Sequence, residues 1–203
     1  MSFQHFKKQL FGVGIILLCL ASTFTTANTE SPLALIQARN DTIKILIDTA
    51  GDEVDSATKE KLKDIINGLI DFRELSRLAL GKYWDERNDK EKEEFTNVFR
   101  QLIRNSSVKK LEIYRADKIK YDDPEMKDGK ATITTFAYKG RKNVEIVYKM
   151  HHADGEWKIY DMVIDGVSTA RNYRGSFYKQ IAKTSYKEMY DKLLERLNND
   201  KES

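Results

Sequence analysis

The sequence predicts an α+β fold in which about six helices cover a curved, antiparallel sheet of four strands. Apolar residues recur at helical spacing through the first half of the chain, which predicts a helical part over about 31–114. After Tyr114 the pattern changes to the two-residue alternation typical of strands, interrupted by Gly-containing turns, which predicts a sheet over about 117–164. Helical spacing then returns after Gly166, so two final helices are expected over about 168–198.

Residues 1–27 have the pattern of a secretory signal peptide. Two lysines precede an apolar run from Leu10 to Leu20, and small residues follow up to Ala27. The run is too short for a stable transmembrane helix, so we expect cleavage after Ala27 and a single mature domain over 28–203.

Cleavage would change both the cysteine content and the charge. Cys19, the only cysteine, would be lost, which leaves an exported protein without a disulfide. The large Leu18 before it argues against lipidation. The 35 basic and 32 acidic residues of the full chain would become 33 and 32, because two lysines and no acidic residue are removed. A near-neutral chain without a dense basic cluster is not expected to bind nucleic acid.

Four helices are predicted before the sheet. Ser31 and Pro32 are a typical N-cap and first helical residue, so the first helix is expected over about 32–49. The second helix opens at Ser56. Its apolar face is formed by Leu62, Ile65, Ile66, Leu69 and Ile70.

Two capping boxes mark the third and fourth helices. Asp71 with Glu74 opens a short helix that the next glycine would end. Asn88 with Glu91 opens a long helix from 89 to about 113. The apolar stripe of this long helix is formed by Phe95, Val98, Phe99, Leu102 and Ile103.

The sheet is predicted to be a meander. Turn signals at Asp128-Gly129, Gly140 and Asp154-Gly155 separate runs that alternate between apolar and polar residues. The strands are expected over about 117–123, 130–139, 143–151 and 156–164. The last strand is apolar on both faces, as in a strand covered on both sides. Strict alternation would place Trp157, Ile159 and Val163 on one face and Tyr160, Met162 and Ile164 on the other.

The segment GVSTA, residues 166–170, is close to the nucleophile elbow of hydrolases and lies at a strand-to-helix junction. A serine nucleophile needs a histidine base, and no histidine follows Ser168. The two mature histidines, His151 and His152, are neighbours on a strand, so they would point to opposite faces and would not form a metal pair. We therefore expect Ser168 to cap the following helix.

Carboxylates in the apolar stretch are the remaining candidates for catalysis. Asp161 and Asp165 are the only two there, and either an acid–base role or a structural role is open to them. The sequence has no Gly-rich phosphate loop and no Cys/His ligand set, so neither a metal site nor a cofactor is predicted.

Several short motifs occur in a fixed order between residues 70 and 177. They are Ile70-Asp71-Phe72, Leu80-Gly81-Lys82-Tyr83-Trp84, Phe95, Phe99-Arg100, Trp157-Lys158, Tyr160-Asp161, Asp165-Gly166-Val167-Ser168, Asn172-Tyr173-Arg174 and Phe177. In these motifs the chain resembles the MlaC family of periplasmic phospholipid-binding proteins, also called the toluene-tolerance auxiliary family. It departs from the family at Asn105-Ser106-Ser107, where a tyrosine is common, so the resemblance implies a lipid tunnel of different shape there.

The resemblance implies a non-enzymatic carrier that takes acyl tails into a cavity between sheet and helices and leaves the headgroup near solvent. It also implies a sheet similar to the NTF2-like fold. Such a carrier would move phospholipid between an inner-membrane ABC-type lipid transporter complex, with its substrate-binding subunit, and an outer-membrane lipoprotein–porin complex. This traffic would help to keep the outer leaflet free of phospholipid. The phospholipid is then cargo, and no cofactor is expected.

We expect the cavity to be walled by one face of the third strand, the end of the last strand and the long helix. The predicted tail contacts are Val144, Ile146, Tyr148, Met150, Met162, Ile164 and Val167 from the sheet and Phe99, Leu102 and Ile103 from the helix. Two alternatives stay open. One is an enzyme on an NTF2-like cavity with Asp161 or Asp165 as base, and the other is a periplasmic interaction protein or chaperone without a small ligand.

Overall fold

The structure is a computed structural model that describes residues 31–51, 53–107, 111 and 113–202. The predicted signal peptide lies outside these residues. Among the described residues, five helices precede six strands, and two further helices follow. The prediction of an α+β fold is confirmed.

The five helices before the sheet include one that the sequence pattern did not indicate. Their bounds are α1 (Pro32–Ala50), α2 (Ser56–Gly68), α3 (Phe72–Leu80), α4 (Lys82–Asp85) and α5 (Asp89–Ser107). Four of them correspond to predicted helices, whereas α4 is a single turn too short to show a period. The predicted extension of α5 to residue 113 is wrong, because residues 111 and 113 have 3-10 geometry and residue 114 is in a turn.

The two predicted capping boxes form differently. At α5 the box is reciprocal: the Glu91 N–H donates to Asn88 Oδ1 and the Asn88 N–H donates to Glu91 Oε2, both at 2.9 Å. At α3 only the Glu74 N–H donates to Asp71 Oδ1, at 2.9 Å. The Asp71 N–H instead donates to the Ile159 carbonyl at 2.8 Å, which ties the start of α3 to the sheet.

The sheet has six antiparallel strands, so the prediction of four is wrong. They are β1 (Lys118–Tyr121), β2 (Glu125–Lys127), β3 (Lys130–Lys139), β4 (Lys142–Ala153), β5 (Glu156–Ile164) and β6 (Val167–Ser168). The order is β1-β3-β4-β5-β6, and β2 also pairs with β3. The two extra strands have three and two residues, and β2 is exposed throughout, so neither shows an alternation. The similarity to an NTF2-like sheet stays a prediction.

Three turns of the sheet use the same Asp-Gly pair. Asp128, Asp154 and Asp165 have φ values of 49°, 53° and 47°, and the glycine after each has a φ of 70°, 81° or 78°. Positive φ at both positions is what a two-residue hairpin turn of the I′ kind requires. The predicted turns at Asp128-Gly129 and Asp154-Gly155 are confirmed, whereas Gly166, predicted only to end the last strand, belongs to a turn that leads into β6.

A β-bulge between β4 and β5 changes which side chains face the core. Tyr148 pairs with Met162, but Met150 pairs with Ile159, so β5 contains one extra residue at this point. Ile159 therefore joins Met162 on the core side of the sheet. The prediction that these two residues lie on opposite faces is wrong for this reason.

The helices α6 (Thr169–Lys183) and α7 (Tyr186–Glu202) complete the cover of the sheet, close to their predicted bounds. The contact between α3 and α6 is close because Gly81, with a φ of 51°, lies directly against the Tyr178 hydroxyl. That hydroxyl accepts the Lys82 N–H at 2.8 Å. A Cβ at position 81 would collide with it, which explains the glycine in this motif.

The core has two parts. The larger part joins the sheet to α3, α5, α6 and α7 and includes an aromatic cluster, which we define as Phe95, Phe99, Tyr173 and Phe177. The smaller part lies between α1 and α2 and is formed by Ile43, Ile47, Leu62, Ile66 and Tyr114. The space between the two parts holds the candidate site.

Candidate functional site

An apolar cavity of about 330 Å³ lies between the core face of the sheet and the helices. Its sheet wall is formed by two cross-strand pairs, Ile146 with Ile164 and Tyr148 with Met162. The remaining wall comes from α2, the end of α5, the loop before β1, β6 and the start of α6. These residues are Ile66, Asn67, Ile103, Ser106, Ser107, Ile113, Tyr114, Val167, Thr169, Asn172 and Tyr173.

The mouth of the cavity lies at β6 and the first turn of α6. Val167 lines the cavity and yet is 57% exposed, and the neighbouring lining residue Asn172 is also exposed. By contrast, Tyr148 in the sheet wall is only 1% exposed. The cavity therefore runs from a mixed polar and apolar rim to an interior lined by buried side chains.

The structure brings together six of the ten predicted contact residues. The residues that line the cavity are Ile103, Ile146, Tyr148, Met162, Ile164 and Val167. The other four, Val144, Met150, Phe99 and Leu102, are not in its wall. Contact of all ten with lipid stays a prediction.

The four residues outside the wall are part of the packed structure. Phe99 belongs to the aromatic cluster, with its ring centre 4.8 Å from that of Tyr173, and Leu102 is 2% exposed. Met150 is fully buried beyond the bulge. Val144 pairs with Ala137 farther from the bulge on β4 and packs at the edge of the core.

Sequence reasoning missed the polar side of the cavity because it followed apolar stripes. Asn67, Ser106 and Ser107 all line the wall, and the Asn67 side chain donates to Ser107 Oγ at 3.1 Å, joining α2 to α5. The sequence did contain one indication of open space at the end of α5. The two serines stand where the family commonly has a tyrosine, and a small side chain leaves more open space than an aromatic ring.

A buried arginine contacts the sheet wall of the cavity. Arg39 on α1 is 6% exposed, and its guanidinium donates to the Tyr148 hydroxyl at 3.0 Å and to Asn40 Oδ1 at 3.1 Å. No carboxylate pairs with it in the part of the chain that the structure describes. Burial alone would lower the pKa of Arg39, but the hydroxyls of Tyr114 and Tyr148 raise that pKa above its ordinary value. A permanent positive charge therefore holds the Tyr148 ring in the cavity wall.

The candidate nucleophile and the candidate base are bound to each other. Ser168 Oγ accepts the Arg171 N–H at 3.1 Å, so Ser168 is the N-cap of α6, as predicted. The Ser168 hydroxyl donates to Asp161 Oδ2 at 2.7 Å, and the Ala170 N–H donates to Asp161 Oδ1 at 3.0 Å. Asp161 is thus a buried carboxylate whose two oxygens hold the start of α6.

The other candidate residues have structural contacts. Asp165 is in a hairpin turn and accepts the Glu145 N–H at 3.0 Å. His151 Nε2 lies 2.9 Å from Asp71 Oδ2, whereas the His152 ring lies against Trp157. Over the described ranges, no group of three or more His, Cys, Asp or Glu residues could hold a metal ion. None of the helices within these ranges has the length and apolar character needed to cross a membrane.

Comparisons with known proteins identify a family and a similar fold. A family model described as MlaC protein matches residues 37–199. A solved structure of a phospholipid-binding protein from Ralstonia solanacearum, in complex with a phospholipid, is similar with a TM-score of 0.68 and 18% identity. The match covers 83% of this chain and 95% of that chain. A search of curated proteins finds no match.

Proposed function

This chain belongs to the MlaC family, and we propose that it is a periplasmic carrier that binds the acyl tails of a phospholipid in the cavity between β4, β5, α5 and α6. The observation that carries the proposal is the apolar cavity with an open mouth at Val167. The similar fold from Ralstonia solanacearum, described in complex with a phospholipid, supports the same ligand class.

The physical need for such a cavity follows from the cost of exposing lipid tails to water. Roughly thirty methylene groups at about 0.8 kcal/mol each would cost on the order of 25 kcal/mol, so transit through water needs a protein that covers them. A carrier that bound lipid far more tightly than a bilayer could not release it. We therefore expect near-equal affinity of carrier and membrane, shifted by contact with partners.

The cavity must widen to accept two tails. At about 330 Å³ it is at the small end of ligand pockets, which span roughly 300–1,000 Å³. Its wall contains Met162, an adaptable side chain, and also Ser106 and Ser107, which occupy little space. Entry of lipid would therefore displace side chains at the end of α5 and the start of α6 more readily than the paired strands.

The proposed route connects two membranes. The expected signal peptide would direct the chain to the periplasm. There the carrier would exchange phospholipid with an inner-membrane ABC-type transporter complex, through its substrate-binding subunit, and with an outer-membrane lipoprotein–porin complex. This exchange would maintain the lipid asymmetry of the outer membrane.

The two alternatives fit the described residues less well. Asp161 has both oxygens engaged by Ser168 and Ala170, so it supports α6 and is poorly placed to accept a substrate proton. Asp165 is a turn residue on the surface. A purely protein-binding role would leave the interior cavity without a purpose.

Native mass spectrometry of the purified full chain tests the proposal. We expect co-purified phospholipid, and delipidated protein should extract phospholipid from vesicles. Ser106→Phe, which fills the cavity from α5, should reduce extraction, whereas Ser176→Phe on the exposed part of α6 is the matched control and should not. Wild-type protein that neither carries nor extracts lipid would contradict the proposed function.

A further inference from the structure

A second pocket, of about 310 Å³, lies on the other side of the first turns of α6. Thr169, Asn172 and Tyr173 face the apolar cavity, whereas Arg171 and Arg174 line the second pocket. We call the second pocket the basic pocket, because Lys149 on β4 adds a third positive charge to its lining.

The positive charges of the basic pocket exceed its negative charge. Asp161 is the one carboxylate that lines it within the described ranges, and its oxygens already accept hydrogen bonds from Ser168 and Ala170. Lys149 Nζ lies 4.0 Å from Asp161 Oδ2 and forms an ion pair with this carboxylate. The charges of Arg171 and Arg174 are therefore not compensated by this carboxylate, and their guanidinium groups have donors available to a ligand.

The basic pocket and the apolar cavity are close neighbours. A small gap of about 10 Å³ between them is lined by Ile103 and Met162, which also line the cavity, and by Tyr160 and Asp161, which also line the basic pocket. One layer of side chains thus separates an apolar space from a cationic one. This arrangement matches the two chemical parts of an anionic amphiphile.

We propose that Lys149, Arg171 and Arg174 form a binding site for a phosphate group. Arginine donors in a fixed fork match the oxygens of phosphate, and such charge-assisted hydrogen bonds are stronger than neutral ones. The phosphate comes either from the headgroup of a lipid whose tails lie in the cavity or from free phosphate. The headgroup source rests on the proposed function, whereas the free-phosphate source does not.

The test uses the full mature chain, delipidated, with two double variants. Arg171→Gln with Arg174→Gln removes both guanidinium groups, and glutamine at 174 keeps the carbons that pack beside Gly81. Lys179→Gln with Lys192→Gln removes the same charge from exposed positions outside the pocket and is the matched control. Calorimetric titration with inorganic phosphate is carried out on each protein, both delipidated and after loading with phosphatidylglycerol. Extraction from phosphatidylglycerol vesicles is measured for each delipidated protein.

A phosphate site predicts that the double arginine variant binds inorganic phosphate about tenfold more weakly or worse, while the control does not change. For the headgroup source, loading with lipid abolishes phosphate binding, and the arginine variant also extracts less lipid. For free phosphate, loaded and delipidated proteins bind phosphate alike, and extraction is unchanged.

Equal phosphate binding by wild type and the double arginine variant would overturn the proposal. So would the absence of phosphate binding to wild type combined with equal extraction by all three proteins. Wild-type protein that binds phosphate through the two arginines but neither carries nor extracts lipid would support the phosphate site and contradict the proposed function alone.

Discussion

The two halves of helix α5 use the same apolar stripe in opposite ways. In the first half, Phe95 and Phe99 pack against Tyr173 and Phe177, with ring centres between 4.8 and 5.7 Å apart for the contacts across to α6. One to two turns later, Ile103 lines an open cavity. The period of a stripe thus shows which side of a helix faces inward, but it does not show whether a neighbour fills the space there.

The largest expected effect is in the packed half. Phe99→Ala should lower the free energy of unfolding by about 3–5 kcal/mol, because Phe99 is fully buried and removal of its ring leaves a void among three other rings. Urea denaturation of delipidated protein measures this. A loss below about 1 kcal/mol would mean that this half is as loosely packed as the cavity end.

Leu102 and Ile103 are neighbours at the boundary between the two halves. Leu102→Ala should cost about 3 kcal/mol, whereas Ile103→Ala should cost roughly 1 kcal/mol less, because Ile103 already has the cavity on one side. Both changes are measured by urea denaturation. Only Ile103→Ala should alter lipid extraction, and an equal effect of both variants on extraction would remove the distinction between the halves.

Tyr114 lines the cavity beside the end of α5, and its ionisation should make the stability of the protein depend on pH. Burial raises the pKa of Tyr114 from 10.0 to about 12. Above pH 10 the unfolded chain loses this proton while the folded protein keeps it, so stability falls by about 1.4 kcal/mol per pH unit until pH 12. Tyr114→Phe should lack this contribution, so its stability should fall less steeply than that of the wild type. Burial also raises the pKa of Tyr186 to about 12, but Tyr186 contributes equally in both proteins. Urea denaturation at pH 8, 10.5 and 11.5 checks it, and a wild-type-to-variant difference that does not vary with pH would contradict it.

The least destabilising change is expected at the start of α6, the helix that packs against the first half of α5 and also lines the cavity. Ser168→Ala removes the N-cap of α6 and should cost about 1 kcal/mol. Lipid extraction should stay at the wild-type level, because Ser168 is outside the cavity wall and, although it lines the basic pocket, it is not one of the three cationic residues proposed to bind phosphate. Thermal denaturation and vesicle extraction measure the two results. Loss of extraction in a folded variant would give Ser168 a direct part in function.

Elements with strong periods or clear caps could be predicted from the sequence. The bounds of α1, α6 and the three long strands follow from such signals. The bulge in β5 could not be located from the sequence, because the strand has apolar residues on both faces and a shift of pairing at Tyr160 therefore breaks no clear alternation. The short elements α4, β2 and β6 lack the length to show a period.

The candidate site was predictable in its sheet wall and less so in its helical wall. Tyr148 and Met162 lie side by side because strand pairing places them there, and alternation reveals which face they share. Phe99 and Ile103 lie on one apolar stripe. Only tertiary packing decides that other side chains cover Phe99, whereas Ile103 borders open space. The basic pocket gives no local signal, since Lys149 and Arg174 are 25 positions apart in the sequence.

The repeated Asp-Gly turns have a consequence for the order in which the molecule folds. Two-residue turns join β2 to β3, β4 to β5 and β5 to β6, so most strand pairs are local in sequence and can form early. The cavity instead needs Ile66, Ile103, Ile146 and Tyr173 from distant parts of the chain. We expect its walls to close last, so that changes in them alter the unfolding rate and leave the folding rate nearly constant.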